Sequence, residues 1–466
     1  MPDDQRYTPA ISESLAGFFA GAQASDIPAD VRVRGLHHAL DAIGIALAST
    51  KFDFAQATLR GLQSLGGTGD VPVIGTNVTM SPRDAAIMNG YLIHSLDFDD
   101  THMGGVIHPT ASVLPAALSA GAMTGASGKD IVTAYILGVE VASRLGAVAQ
   151  GGFHQVGFHP TGAVGVFASA LVAGKIMGLN AQQLAMAQGI TLSMAAGSLE
   201  FLEDGAWNKR LHPGWAAAAG ITAAALAKEG FQGASKPYEG RFGFFNSYLG
   251  KESGRAKLSI ATDGLGETWE LLNTAIKPYP ACHFVHASVD AALELKKQGV
   301  EPANIDKIED LIPGDVVKTV CEPEAAKMRP ANAYEAQFSI PFAVAAAFVR
   351  GKFTLAELEP EARSDKAILG LAQKVKYKVD PDSPFPKAYS GEVIVTLKDG
   401  KTVRHREHVN RGAMDRPLSN GDIIEKYRGN AALCVNGSEI DKIQTAVLAF
   451  DDAKDAAALL SQLAVG

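Results

Sequence analysis

The chain has 466 residues, 47% of them hydrophobic and 20% charged, with a net charge of −8. That is ample for a large core and more chain than one minimal domain needs. The acidic balance, with no basic stripe, excludes a nucleic-acid surface of the usual kind, and the scattered Cys282, Cys321 and Cys434 exclude a disulfide framework or a C-x-x-C metal site.

The polar, acidic opening MPDDQRYTPAISES lacks the basic start of a secretory signal, and unpaired cysteines suit a reducing compartment, so a cytoplasmic location is expected. Alanine-rich stretches such as Ala216–Ala219 and Ala343–Ala347, with 48 glycines, predict closely packed helices. Helix is expected throughout from Ser12 to Gly250. Val31, Leu36, Leu40, Ile43 and Leu47 mark one face of a helix over 27–48. No Asp, Glu, Lys or Arg occurs between Arg144 and Lys175, but glycines, histidines and Pro160 break the stretch. It predicts two buried helices around a functional loop rather than a membrane span. Asn180 and Gln183 form a capping box behind Gly178.

Beyond Trp269 the texture changes. A short helix is predicted over 289–297, a strand within 305–320 and an apolar helix over 338–348. The runs 392–398 and 401–408 flank Asp399-Gly400, a type I′ hairpin signal. The last stretch, 423–463, is helical and returns to the first part. The expectation is a mainly α protein: a large helical domain built from 1–274 and 410–466, and a smaller α+β lid over 275–409.

Eight of the twelve histidines fall between His94 and His286. In HSLDFDDTHMGGVIHPT, Asp97, Asp99 and Asp100 with His94, His102 and His108 are the right types for a metal. Their spacing matches no metal template, Gly104-Gly105 suggests a mobile loop, and a solvated acidic loop is the alternative reading; no metal is expected. His108-Pro109-Thr110 and His159-Pro160-Thr161 each open a helix, where free N–H groups would meet an anion. Lys209, Arg210 and His212 form either an exposed basic rim, which the residues alone favour, or a carboxylate clamp. Lys277, Cys282, His283 and His286 cluster at the domain change, Cys282 reading equally as a small buried hydrophobe.

The segments HSLDFDDTH, IHPTASVLPAALS, GFHPTGAVGVFASA, FLEDGAWNKRLHPGWAAAAG, KPYPACHFVHASVDAALEL and AQFSIPFAVAAAF closely resemble the MmgE/PrpD superfamily, in consistent order from Asn89 to Phe348. The resemblance implies a helical domain with an α+β lid, a homodimer, no organic cofactor and a small polycarboxylate substrate. It puts active-site positions at Asp97, Thr101, His108, His159, Lys209 and Lys277. His108, His159, Lys209 and Lys277 are expected to be catalytic, and Asp97, Thr101, Arg210, His212, Cys282, His283 and His286 to bind substrate. A histidine, or a lysine made less basic by cationic neighbours such as Arg210, would take a proton next to a carboxylate. The implied activities are 2-methylcitrate dehydration, cis-aconitate decarboxylation and iminodisuccinate epimerisation. The decarboxylase branch carries a histidine where this chain has Cys282, and the dehydratase branch differs around WNKRLHPG. The expectation is therefore the general branch and an epimerase, with a hydro-lyase as the alternative and a decarboxylase behind it.

Overall fold

The structure, a computed structural model, describes residues 9–465. Helix dominates, as expected, and two hydrophobic cores organise it. The first draws on residues from Leu15 to Leu271 and again from Tyr427 to Leu463; the second runs from Phe201 to Val395. The principal helices of the first core are α1 (Ala29–Ser49), α2 (Pro82–His94), α3 (Thr110–Thr124), α4 (Gly128–Val148), α5 (Pro160–Ile176), α6 (Ala181–Thr191) and α7 (Asn208–Lys228). The C-terminal helix Asn420–Ala431 packs on α1, where a Cβ on Gly44 would lie 2.9 Å from the Tyr427 ring.

Small residues let these helices meet at backbone distance. A Cβ on Gly214 of α7 would lie 2.1 Å from the Ile87 carbonyl of α2, and one on Gly220 would lie 2.5 Å from Ser169 of α5. Side-chain packing cannot begin at such separations, so α7 is seated by its glycines. The Asn180–Gln183 capping box forms with bonds of 3.1 and 2.9 Å, behind Gly178 at φ 77°. Helix α4 is long and apolar enough to cross a membrane, but 94% of its apolar window is buried in the protein.

Helix is not continuous to Gly250. Strands β1 (Val71–Pro72) and β2 (Thr79–Met80) form a short ribbon, and β3 (Thr101–His102) pairs with β4 (Thr274–Ala275). The second pairing joins the acidic loop after α2 to the segment carrying Lys277. In the smaller core, the sheet order is β6 (Val375–Val379), β5 (Ile305–Ile312), β7 (Gly391–Leu397) and β8 (Thr402–Glu407), with β5 parallel to β6 and antiparallel to β7. The helix His286–Lys297 covers β7 and β8 and packs on the apolar helix Ile340–Arg350.

The β7–β8 hairpin forms, but its turn is not type I′. Gly400 is left-handed at φ 85° while Asp399 is not, and the Leu397 N–H donates to the Lys401 carbonyl at 2.8 Å. A three-residue loop closing on a left-handed glycine matches the strand twist as well as a two-residue turn does. The seating of α7 yields a test. Gly214→Ala is expected to lower stability by about 1–3 kcal/mol through overpacking, read as a reduced urea midpoint; an unchanged midpoint would show that the contact with Ile87 carries no constraint.

Candidate active site

The loop between α2 and α3 is buried, contrary to the solvated-loop reading. Asp97, Asp99 and Asp100 are each no more than 3% exposed. Gly105 is packed rather than mobile, since a Cβ there would lie 2.9 Å from the Ser143 carbonyl. Asp97 takes a left-handed φ of 48°, which aspartate tolerates better than most residues. Its Oδ2 accepts from Lys209 at 2.8 Å and its Oδ1 from Lys277 at 2.5 Å. Lys277 also donates to the Asp97 carbonyl at 2.9 Å. Burial alone would raise the Asp97 carboxyl, but the two lysines override it and hold it well below the usual range.

The imidazoles stand around this centre. His108 Nδ1 lies 2.8 Å from the Asp100 carbonyl and 3.2 Å from Thr101 Oγ1. A carbonyl can only accept, so Nδ1 carries the hydrogen and Nε2 is left as the basic nitrogen. His159 and His212 share one hydrogen between Nδ1 atoms 3.0 Å apart. Burial lowers His108 well below the ordinary histidine range, helped by Lys277 and Lys209; burial and His212 do the same for His159. Burial, with His94 and Lys209, pushes His212 down to about 3. His94 was passed over as a site residue; its Nδ1 meets Asp99 at 2.8 Å, and its Nε2 has no partner among the described residues.

The two HPT segments do converge, through a bond of 3.1 Å from the His108 N–H to Thr161 Oγ1. The anion at the start of α3 is the protein's own. Asp100 accepts from the Thr110 N–H at 3.3 Å and from its hydroxyl at 2.5 Å, and its other partner is His38 at 2.8 Å.

Asp97, Thr101, His108, His159, Lys209, Cys282 and His283 line one cavity of about 460 Å³ including its mouth. Four other expected site residues do not. Lys277 is fully buried behind Asp97. Arg210 is buried too, so the exposed-rim reading fails. Its guanidinium sits between the Phe54 and Tyr334 rings at 4.2 and 4.4 Å and donates to the Ser95 carbonyl at 2.8 Å. It pins the two cores together. His212 backs His159, and His286 bonds the Ala281 carbonyl at 3.1 Å. Burial pushes the Cys282 thiol up to about 11, which suits the small-hydrophobe reading although the residue faces the cavity.

Sequence reasoning missed Val106, His154, Leu199, Phe201, Leu202, Phe284, Thr319, Phe338 and Tyr389, which complete the walls from scattered segments. His154, in the charge-free stretch, was the one with a readable signal. For a cation, two overlapping groups place ligand-type atoms within 4.8 Å of one another: His94, His108 and His159, and Asp97, Asp99 and His108. The carboxylates of the second are already engaged by ammonium and imidazole groups.

A mainly helical, two-core protein with neutral imidazoles and a doubly bridged carboxylate around one cavity has a site suited to proton transfer. Its sequence matches the MmgE/PrpD N-terminal domain over residues 13–256 and the MmgE/PrpD C-terminal domain over 279–452. The chain belongs to the MmgE/PrpD family. It is similar to the cis-aconitate decarboxylase-like protein oryM of Aspergillus oryzae, at 26% identity over 97% of this chain and 96% of that one. It is 28% identical to human cis-aconitate decarboxylase over 97% and 94% of the two chains. With the 2-methylcitrate dehydratase of Escherichia coli K12 it shares 24% identity over 78% and 77%.

Acid should destabilise the protein through these rings. Below about pH 6.5 the unfolded histidines take up protons that the folded ones refuse. Stability is complete above that pH and falls as pH drops towards the folded values, about 3 for His212. Between pH 7.5 and 5, His212→Asn should lose about 1–2 kcal/mol less stability than the parent, measured by urea denaturation. Parallel losses would show that His212 is protonated equally in both states.

Proposed function

We propose that the protein is a lyase acting on a small polycarboxylate, moving a proton at the carbon next to a carboxylate as carbon dioxide or water leaves. One observation carries the reading: two neutral imidazoles, His108 and His159, face the same cavity as the Lys209 ammonium on Asp97. In dehydration His108 Nε2 takes the proton as the hydroxyl leaves. In decarboxylation no proton is abstracted, because departing carbon dioxide leaves the electron pair on the carbon, which the N–H of the His159–His212 pair then protonates. The enediolate that forms has its charge beside Lys209, where a fixed cation in a dry site stabilises it most. Lys277 acts through Asp97, setting the position of that carboxylate and hence of Lys209. In dehydration the His159–His212 pair exchanges the second proton with the departing group.

The named activities of the relatives favour a lyase over the epimerase expected from sequence. Decarboxylation is the first reading, because the similarity to decarboxylases runs over 97–99% of this chain. Dehydration is the second, supported by Cys282 where the decarboxylase branch carries a histidine; a neutral thiol there cannot replace an imidazole in proton transfer near neutral pH.

Incubation with cis-aconitate and 2-methylcitrate in deuterated water separates the outcomes. Release of carbon dioxide supports decarboxylation, and net loss of water supports dehydration. Deuterium entry with no net bond cleavage would return the assignment to an epimerase. On a substrate that loses water, His108→Gln should lower kcat roughly 10²–10⁴-fold, and on either substrate Lys209→Met should lower it roughly 10²–10³-fold. Full activity in either variant would remove that residue from the mechanism.

A further inference from the structure

A second chamber adjoins the reaction cavity. It measures about 560 Å³ including its mouth and shares Val106, His154, Phe284 and Thr319 with the inner one. Gln150, Gln155, Arg255 and Asp315 belong to the outer chamber alone. Arg255 is bound to Glu252 at 2.5 Å, so Arg255 and Asp315 together give the chamber no excess of positive charge. Its walls offer hydrogen bonds rather than a clamp for another carboxylate.

His154 stands at the junction. It is half-buried, its Nδ1 is shut off from solvent, and that atom has no partner among the described residues. A buried polar nitrogen without a bond is costly to the folded protein and suits one that a ligand completes. Burial, with Lys209 nearby, pushes this ring down to about 4, so near neutral pH it offers one donor and one acceptor and no charge.

The backbone marks the same place. Among the described residues, Asp97, Val106 and Gln150 are the non-glycine positions with left-handed φ, at 48°, 50° and 49°. All three line these two chambers, and Val106 and Gln150 both wall the outer one. A β-branched valine in that conformation is a true outlier, and such strain gathers where a ligand wall must be shaped.

We propose that the outer chamber is a second subsite, taking an uncharged hydrogen-bonding group at the remote end of the substrate, with His154 the specificity-determining residue between the subsites. The proposal rests on the polycarboxylate reading of the inner cavity. It implies a substrate longer than a bare dicarboxylate, with an amide or hydroxyl beyond its reacting end.

Titration calorimetry with unreactive acids tests it without turnover. Succinate carries only the two carboxylates; N-acetylaspartate adds a neutral amide, and tricarballylate adds a third carboxylate. The parent protein should bind N-acetylaspartate more tightly than succinate. His154→Phe should weaken N-acetylaspartate at least tenfold more than it weakens succinate, and His154→Asn should restore most of that difference. Arg255→Gln, at a half-exposed site where folding is not at stake, should weaken N-acetylaspartate alone. Equal effects on all three acids, or an effect confined to tricarballylate, would overturn the subsite while leaving the inner reading intact. No binding of any acid to the parent would overturn both.

Discussion

The Asp97 carboxylate is shared by two ammonium groups that reach it from separate parts of the chain. Lys209 comes from α7 and Lys277 from the segment after β4. Three ionised groups buried this deeply are tolerable only as a set, since removal of one leaves an uncompensated charge that water cannot reach. The surrounding structure maintains the set. Gly90 and Gly214 let α2 and α7 touch, which fixes where Lys209 starts, and the β3–β4 pairing brings Lys277 to the loop. The C-terminal helix adds Lys426, which donates to the Phe98 carbonyl at 2.7 Å and to Asp41 at 2.9 Å. Gln337 ties the smaller core to the same loop through the Leu96 carbonyl at 2.5 Å. Both cores, and the helix Asn420–Ala431 that follows the smaller one, thus converge on residues 95–101.

The same cations shape the chemistry of the imidazoles. Burial disfavours a charged ring, and an ammonium nearby disfavours it further. Burial therefore holds His108 and His159 neutral, aided at His108 by Lys277 and Lys209 and at His159 by His212 and Lys209. Charge is supplied in advance on the lysines, and basicity is kept apart on the histidines. Asp99 and the Asp100 carbonyl orient the His94 and His108 rings, so each presents its other nitrogen.

Much of this was legible in the sequence, and the rest was hidden for identifiable reasons. The helical character, the capping box at Asn180 and the β7–β8 hairpin follow from periodicity and turn chemistry, which act over a few residues. The paired HPT segments and the Lys209 and Lys277 clusters stood out because polar residues interrupt apolar or small-residue stretches. Burial of the acidic loop was not readable, because three nearby aspartates look solvated until their partners arrive from positions as distant as Lys277 and His38. Arg210 lies off the cavity for a related reason. A helix turns about 100° per residue, so the neighbour of a site residue points elsewhere, here into Phe54 and Tyr334 for Arg210. The walls from Phe338 and Tyr389 depend on how the second core docks, which no local pattern encodes.

The proposed chemistry requires His108 to be a neutral base with its hydrogen on Nδ1. Nitrogen-15 NMR of histidine-labelled protein, with His108 assigned through His108→Gln, measures this directly. The prediction is a protonated Nδ1 and an unprotonated Nε2 that persist unchanged from pH 7.5 to 5.5, below the ordinary titration of histidine. An imidazolium signal at pH 6, or a hydrogen on Nε2, would contradict it.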